Sequence, residues 1–286
     1  MRGETREVRQ VKNRALRRGA GVAALYALLA AVLLAGGTFA WFTFRAYTNV
    51  TPLAGTIGTG EGDLLISARR DGGFDTQCAL PLRDAGAELL PVSTAELEHF
   101  FTVSAQDGAG IATAYRDADE RAAAHSLNGT VYLKADGSDF DIYLWREDIH
   151  CGSDAQALAA MRLGLRIVTA SGARTHIFKL DELGSTASAE AVRTVPEAGK
   201  VVSSVGAGGA AVYVNDPAKA LSECTAQGTA DEVQAGKTAL CTLNDGEIAE
   251  VRFWLYLEGC DENCINSVQG KDIALQLGFA GAQRER

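Results

Sequence analysis

The stretch Val131-Tyr132-Leu133-Lys134-Ala135, Asp136-Gly137-Ser138, then Phe140-Asp141-Ile142-Tyr143-Leu144-Trp145 decides the fold class. Two runs rich in β-branched and aromatic residues flank an Asp-Gly turn signal, which predicts two strands joined as a β-hairpin. A second hairpin is predicted between 163–168 and 175–180, across Ser171-Gly172. Nearer the C-terminus, Val251, Phe253, Leu255 and Leu257 alternate with Arg252, Trp254, Tyr256 and Glu258. That period of two belongs to a strand with one face in a core. Ile273, Leu275, Leu277 and Phe279 repeat the pattern against Ala274, Gln276 and Gly278. Further strands are expected at 64–68, 200–205, 211–214 and 238–243. Helices are few: Ser93-Thr94-Ala95-Glu96 reads as a capping box leading into 97–101, and Ser153-Asp154 as a cap for 155–161. About nine strands at this spacing predict an all-β chain, a β-sandwich with short helical insertions. The pattern leaves jelly roll and other Greek keys as alternatives.

With 286 residues and 47% hydrophobic content the chain can bury a core, which excludes disorder throughout. Its charge is unevenly placed. Up to Arg18 there are seven basic residues against Glu4 and Glu7, a balance of +5, and the rest of the chain carries −14. So acidic a body repels phosphate backbones, and nucleic-acid partners are excluded. The basic cluster precedes an uncharged run, residues 19–44, the layout of a signal peptide or signal anchor. Gly36-Gly37 weakens a helix there, and Thr38-Phe39-Ala40 suits peptidase cleavage between Ala40 and Trp41. The other reading is an uncleaved transmembrane anchor at 19–44. Both place the body outside the membrane, secreted or at the cell surface, with contact to the membrane during export. The expected organisation is 1–40 as export segment, 41–67 as an N-terminal segment and 68–286 as the sandwich.

All six cysteines follow the export segment, and an even number in an oxidising compartment predicts disulfides. Locality suggests Cys260–Cys264 and Cys224–Cys241, leaving Cys78–Cys151 as a long-range staple. The competing reading, a metal site of Cys224, Cys241, Cys260 and Cys264, lacks any CxxC pair.

No residue constellation specifies a reaction. His99, His125, His150 and His176 are scattered, with neither HExxH nor a His pair at helical spacing, and no GxSxG elbow is present. The glycine-rich stretches 55–62 and 206–209 match no phosphate-binding loop. Asp136, Asp139 and Asp141 crowd one turn and are weak calcium candidates; Asp117, Asp119 and Glu120 crowd another. The chain is therefore expected to be a non-enzyme without a cofactor.

Gly36-Gly37-Thr38-Phe39-Ala40-Trp41-Phe42, followed by Ala54-Gly55-Thr56-Ile57 and Asp63-Leu64-Leu65-Ile66-Ser67, resembles the TasA/camelysin group of exported proteins. Lys271-Asp272-Ile273-Ala274-Leu275-Gln276-Leu277-Gly278-Phe279-Ala280 is similar to that group's closing strand, and Trp254 to Gly259 resembles a motif of its members. The likeness covers the two ends, about a third of the chain. It implies processing at Ala40 by a signal peptidase of SipW type, a jelly-roll domain and, in the TasA branch, assembly into biofilm-matrix fibres. Residues 41–67 would then be a donor strand, with Trp41, Phe42, Phe44 and Tyr47 as its anchors and self-association or related subunits as partners. The six cysteines and the basic leading stretch depart from the group's pattern. The alternatives are a monomeric surface binding module, assisted by calcium, and a secreted hydrolase in which His150 or His176 meets carboxylates or a serine.

Overall fold

A computed structural model of the chain describes residues 44–45, 53–54, 63–81, 88–108, 111–119, 126–151, 155–183, 197–229, 232–234, 237–264, 268, 273 and 275–284. The chain divides after Trp41. The basic cluster, the start of the hydrophobic run and the Ala40/Trp41 cleavage point lie outside the described residues. Among the described residues no helix is long and apolar enough to cross a membrane.

The chain is all-β. The first strands are β1 (Phe44–Arg45), β2 (Leu53–Ala54), β3 (Asp63–Ser67), β4 (Gln77–Cys78) and β5 (Glu88–Leu89). They are followed by β6 (Phe101–Gln106), β7 (Ala112–Asp117), β8 (Ser126–Asp136) and β9 (Phe140–Trp145). After α1 (Ala155–Ala160) come β10 (Met161–Thr169), β11 (Gly172–Lys179), β12 (Lys200–Val205), β13 (Ala211–Asn215) and β14 (Lys219–Ala220). The last are β15 (Thr225–Thr229), β16 (Glu232–Gln234), β17 (Cys241–Leu243), β18 (Ile248–Leu257) and β19 (Phe279–Gln283). One sheet runs β14-β11-β10-β18-β8-β3. A second runs β16-β15-β9-β17, with β19 along β9 as well, and β6-β7 and β12-β13 are separate two-stranded sheets.

The period-two pattern explains why the sheets face each other. Ala249, Val251, Phe253, Leu255 and Leu257 of β18 are fully buried, as are Leu163, Leu165 and Ile167 of β10. They meet Phe140, Ile142 and Leu144 of β9 in one core. The register sets Gly129 of β8 opposite Phe253. A Cβ on Gly129 would lie 2.6 Å from the Pro81 carbonyl and 2.7 Å from Phe253 Cζ, so only glycine leaves room for that ring. Tyr143 and Trp145 turn to the opposite face of β9 and pack with Ala226 and Ala280.

The β10–β11 hairpin forms as expected, with Thr169 paired to Gly172. The hairpin expected at Asp136-Gly137-Ser138 does not: β8 pairs with β3 and β18, while β9 pairs with β15, β17 and β19. The turn is a crossing between sheets, held by the loop that makes the second crossing, from β17 to β18. Gly137 N donates to Asp245 Oδ1 (2.8 Å), Asp245 N to Asp139 Oδ1 (2.8 Å) and Gly246 N to the Ala135 carbonyl (2.9 Å). Both strands are apolar on the core face, and each gains more by facing the other across the core than by pairing beside it.

The capping box forms without its helix. Thr94 Oγ1 accepts from Leu97 N (3.0 Å), but 95–98 is only a bend, and Phe101 opens β6. Leu97 has φ of 62°, which ends any helical turn there, and its side chain lies on Gly164 of β10. The helix expected at 155–161 ends one residue early, at Ala160, and its cap lies outside the described residues. The strand expected at 238–243 is confined to β17, and the C-terminal run becomes strand at Phe279 although Ile273, Leu275 and Leu277 are buried.

Three short ladders tie down the N-terminal segment: β1 to β5, β2 to β4 and β3 to β8. Leu64 and Ile66 of β3 lie in the main core, so 63–67 is part of the sandwich.

Candidate functional site

The expected site residues are dispersed. Asp136 pairs with Lys134 Nζ at 2.6 Å, Asp139 holds the crossing loop, and Asp141 accepts from Thr242 Oγ1 at 2.8 Å. Among the described residues no group of three or more His, Cys, Asp or Glu side chains could hold a metal ion, so the calcium candidates do not converge. Each carboxylate instead has its own donor, because the turn that crowds them in sequence is a crossing with its own bonds to make. Asp119 accepts from His99 Nδ1 (2.9 Å) and Phe100 N (2.6 Å), closing the 93–101 bend. His176 lies under the sheet with Nε2 3.1 Å from the Leu240 carbonyl and its ring stacked on Phe178; burial holds its pKa below the ordinary histidine value. His150 forms a backbone bridge with Gln276. The contacts described bring no serine to any of these three histidines; His125 and Glu120 lie outside the described residues.

The structure joins none of the six cysteines in a disulfide. Cys260 Sγ lies 3.5 Å from the Tyr115 hydroxyl in a side cluster with Phe101 and Val202, whereas Cys264 faces the main core. Cys224 and Cys241 are both core residues beside β9, and Cys78 packs against the core that holds Cys151. Burial pushes the Cys151, Cys241 and Cys260 thiols up to about 12 and Cys78 to about 11, so none of these supplies a thiolate near neutrality.

The strongest concentration of charge lies where the sequence shows only alternation. Lys179, Arg162 and Tyr256 occupy one row across β11, β10 and β18, on the face turned away from the main core. Arg162 is 1% exposed. Its guanidinium bonds Asp261 at 2.5 Å and Asp216 at 3.2 Å, and the Ala159 and Met161 carbonyls at 3.2 and 3.1 Å. Burial works against its charge, and the carboxylates of Asp261 and Asp216 outweigh it, so it stays protonated. Lys179 Nζ adds a 3.6 Å contact to Asp216.

Glu258, just past β18, is equally buried. Its Oε1 accepts from Cys260 N at 3.0 Å. Burial pushes its carboxyl up to about 8, against the pull of Arg162 and of hydrogen bonds from Ser93 and Cys260, so the group is neutral at pH 7. These residues, with Lys200, Asp181 and Glu262, line a cavity of about 280 Å³. Chemically it is a polar recess with fixed charges of both signs and a buried protonated acid. Sequence reading missed it because Arg162 contacts side chains 54 and 99 positions away. Comparison of the chain with protein-family models, with curated proteins and with solved structures finds no match.

Proposed function

We propose that this chain is an exported structural protein of the cell surface or extracellular matrix, a fibre-type subunit that associates by strand addition after processing by a signal peptidase of SipW type. The observation that supports it is how the N-terminal segment is held. Its first two contacts, β1 with β5 and β2 with β4, are ladders of two residues each, and only β3 forms a longer one, of five. Ladders that short are weak, and the same backbone edges accept an equivalent strand from a neighbouring copy. A monomeric surface binding module is the second reading, favoured by the charged recess around Arg162.

The test is negative-stain microscopy with light scattering on protein beginning at Trp41, alone and with residues 41–62 deleted. The deletion spares 63–67, whose Leu64 and Ile66 belong to the core. Filaments that vanish on deletion support strand addition, and protein that stays monomeric at rising concentration overturns it.

A further inference from the structure

Among the described residues the large hydrophobic side chains that stand exposed are Val212 and Val214, 53% and 39% accessible, both on β13. Single exposed valines are ordinary, but two on one face of an edge strand make an apolar seam. Ala211 and Tyr213 point the other way, into the side cluster, where Tyr213 meets Tyr115 edge-on with ring centroids 6.0 Å apart. The strand is thereby held with its valines outward.

Among the described residues β13 pairs only with β12, which leaves its other edge open. Asp216 N donates to the Gly199 carbonyl (3.0 Å) at one end of that ladder, and Gly206 N to the Ala210 carbonyl (2.8 Å) at the other. Backbone groups alternate in an antiparallel pair, so Val212 and Val214 turn theirs to β12, and Ala211, Tyr213 and Asn215 turn theirs away. The edges of the larger sheet are protected: β14 is two residues long and carries Lys219, and Asp75 bridges the outer side of β3. Ala211-Val212-Tyr213-Val214-Asn215 has neither charge nor proline, the pattern that accepts another strand.

The strand that fits is the same one from a second copy. β13 is bounded symmetrically, with Gly209, whose φ is 84°, and Pro217 equally far from Tyr213. A two-fold axis at Tyr213 therefore gives the longest overlap. It sets Tyr213 opposite the partner's Tyr213 and Ala211 opposite the partner's Asn215, each pair exchanging its outward N–H and C=O groups. Val212 then faces the partner's Val214 in a pair without hydrogen bonds, where side chains come closest. Charge permits the same register in an otherwise acidic chain. The two copies of Asp216, each already paired with Arg162, would lie about 20 Å apart, well beyond the screening length of about 8 Å.

We propose that β13 is a self-association edge, to which a second copy of this chain adds its own β13, antiparallel about a two-fold axis at Tyr213. The contact uses none of residues 41–62 and so goes beyond the strand addition proposed above.

Cysteine cross-linking of the full chain in detergent tests the register. Val212→Cys and Val214→Cys change exposed positions and are made as separate variants. Directly opposed positions have Cα atoms about 4.5 Å apart, within disulfide reach, whereas position 212 and its own counterpart are diagonal at about 7–8 Å, beyond it. Under mild oxidation a mixture of the two variants is expected to form linked dimers at least about tenfold faster than either variant alone. Val212→Lys together with Val214→Lys crowds ammonium groups along the seam and should weaken dimerisation, followed by light scattering, about tenfold or more. A parent chain that stays monomeric at about 200 µM overturns the proposal. So does equal cross-linking in the mixture and the single variants, or a dimer that the double substitution leaves unchanged. Filaments without this cross-link overturn the β13 contact and leave the fibre reading standing, and the cross-link in a protein that forms no filaments does the reverse.

Discussion

Glu258→Gln isolates the effect of burying one acid beside Arg162. Below pH 4.5 the carboxyl is protonated in the folded and the unfolded chain alike, so it contributes no pH dependence. Between 4.5 and about 8 the unfolded chain releases this proton while the folded chain keeps it. Ionisation then favours unfolding, and stability falls as pH rises, levelling off above 8. Each pH unit of separation is about 1.4 kcal/mol, so the full effect is on the order of 4–5 kcal/mol. Glutamine has the same shape and no titration. The assay is urea unfolding of the full chain and the variant from pH 4.5 to 9, read as the difference between the two curves. That difference removes the titration of groups away from Glu258, including His176, whose lowered pKa acts with the opposite sign. The variant should be within about 1 kcal/mol of the parent at pH 4.5 and several kcal/mol more stable above pH 8. Parallel curves across the range refute a buried neutral Glu258.

Two further substitutions probe the scaffold. Arg162→Met leaves Asp216 and Asp261, each with a side chain 12% exposed, without their buried cation, and should cost about 3–5 kcal/mol in chemical denaturation; a loss below about 1 kcal/mol means the triad is solvated. Gly164→Ala places a Cβ 2.5 Å from Leu97 Cδ2 and should cost about 1–3 kcal/mol, recovered in large part by Leu97→Gly, which also relieves the φ of 62°.

What could be read from the chain was whatever depends on near neighbours. The alternation of β18 and the apolar runs of β10 and β11 fix which face is buried, because side chains two apart share a face whatever the partner strand is. Partner choice does not follow from that rule. Asp136-Gly137-Ser138 carries the chemistry of a tight turn, yet its hydrogen bonds go to 245–246, about a hundred residues away. Ser93-Thr94-Ala95-Glu96 likewise makes its local Thr94 bond, while the helix gives way to the strand pairing of Phe101 with Asp117 and the seat of Leu97 on Gly164. Local propensity was real in both places and lost to long-range packing.

The recess was hidden for a related reason. In Met161-Arg162-Leu163-Gly164-Leu165-Arg166 the two arginines read alike, both on the face opposite the leucines, and the default for such positions is solvent. Arg166 follows the default in part, pairing with the exposed Glu98. Arg162 does not, because that face of the sheet is covered where Asp216 and Asp261 arrive from loops 54 and 99 residues downstream. The distinction between the two lies entirely in what is laid over them. Glu258 is the one member with a local warning: it extends the outward row of β18 past Leu257 just before Cys260, and a carboxylate there must either reach water or be held. It is held, by Cys260 N on one oxygen and by a hydrogen bond from Ser93, beside the charge of Arg162.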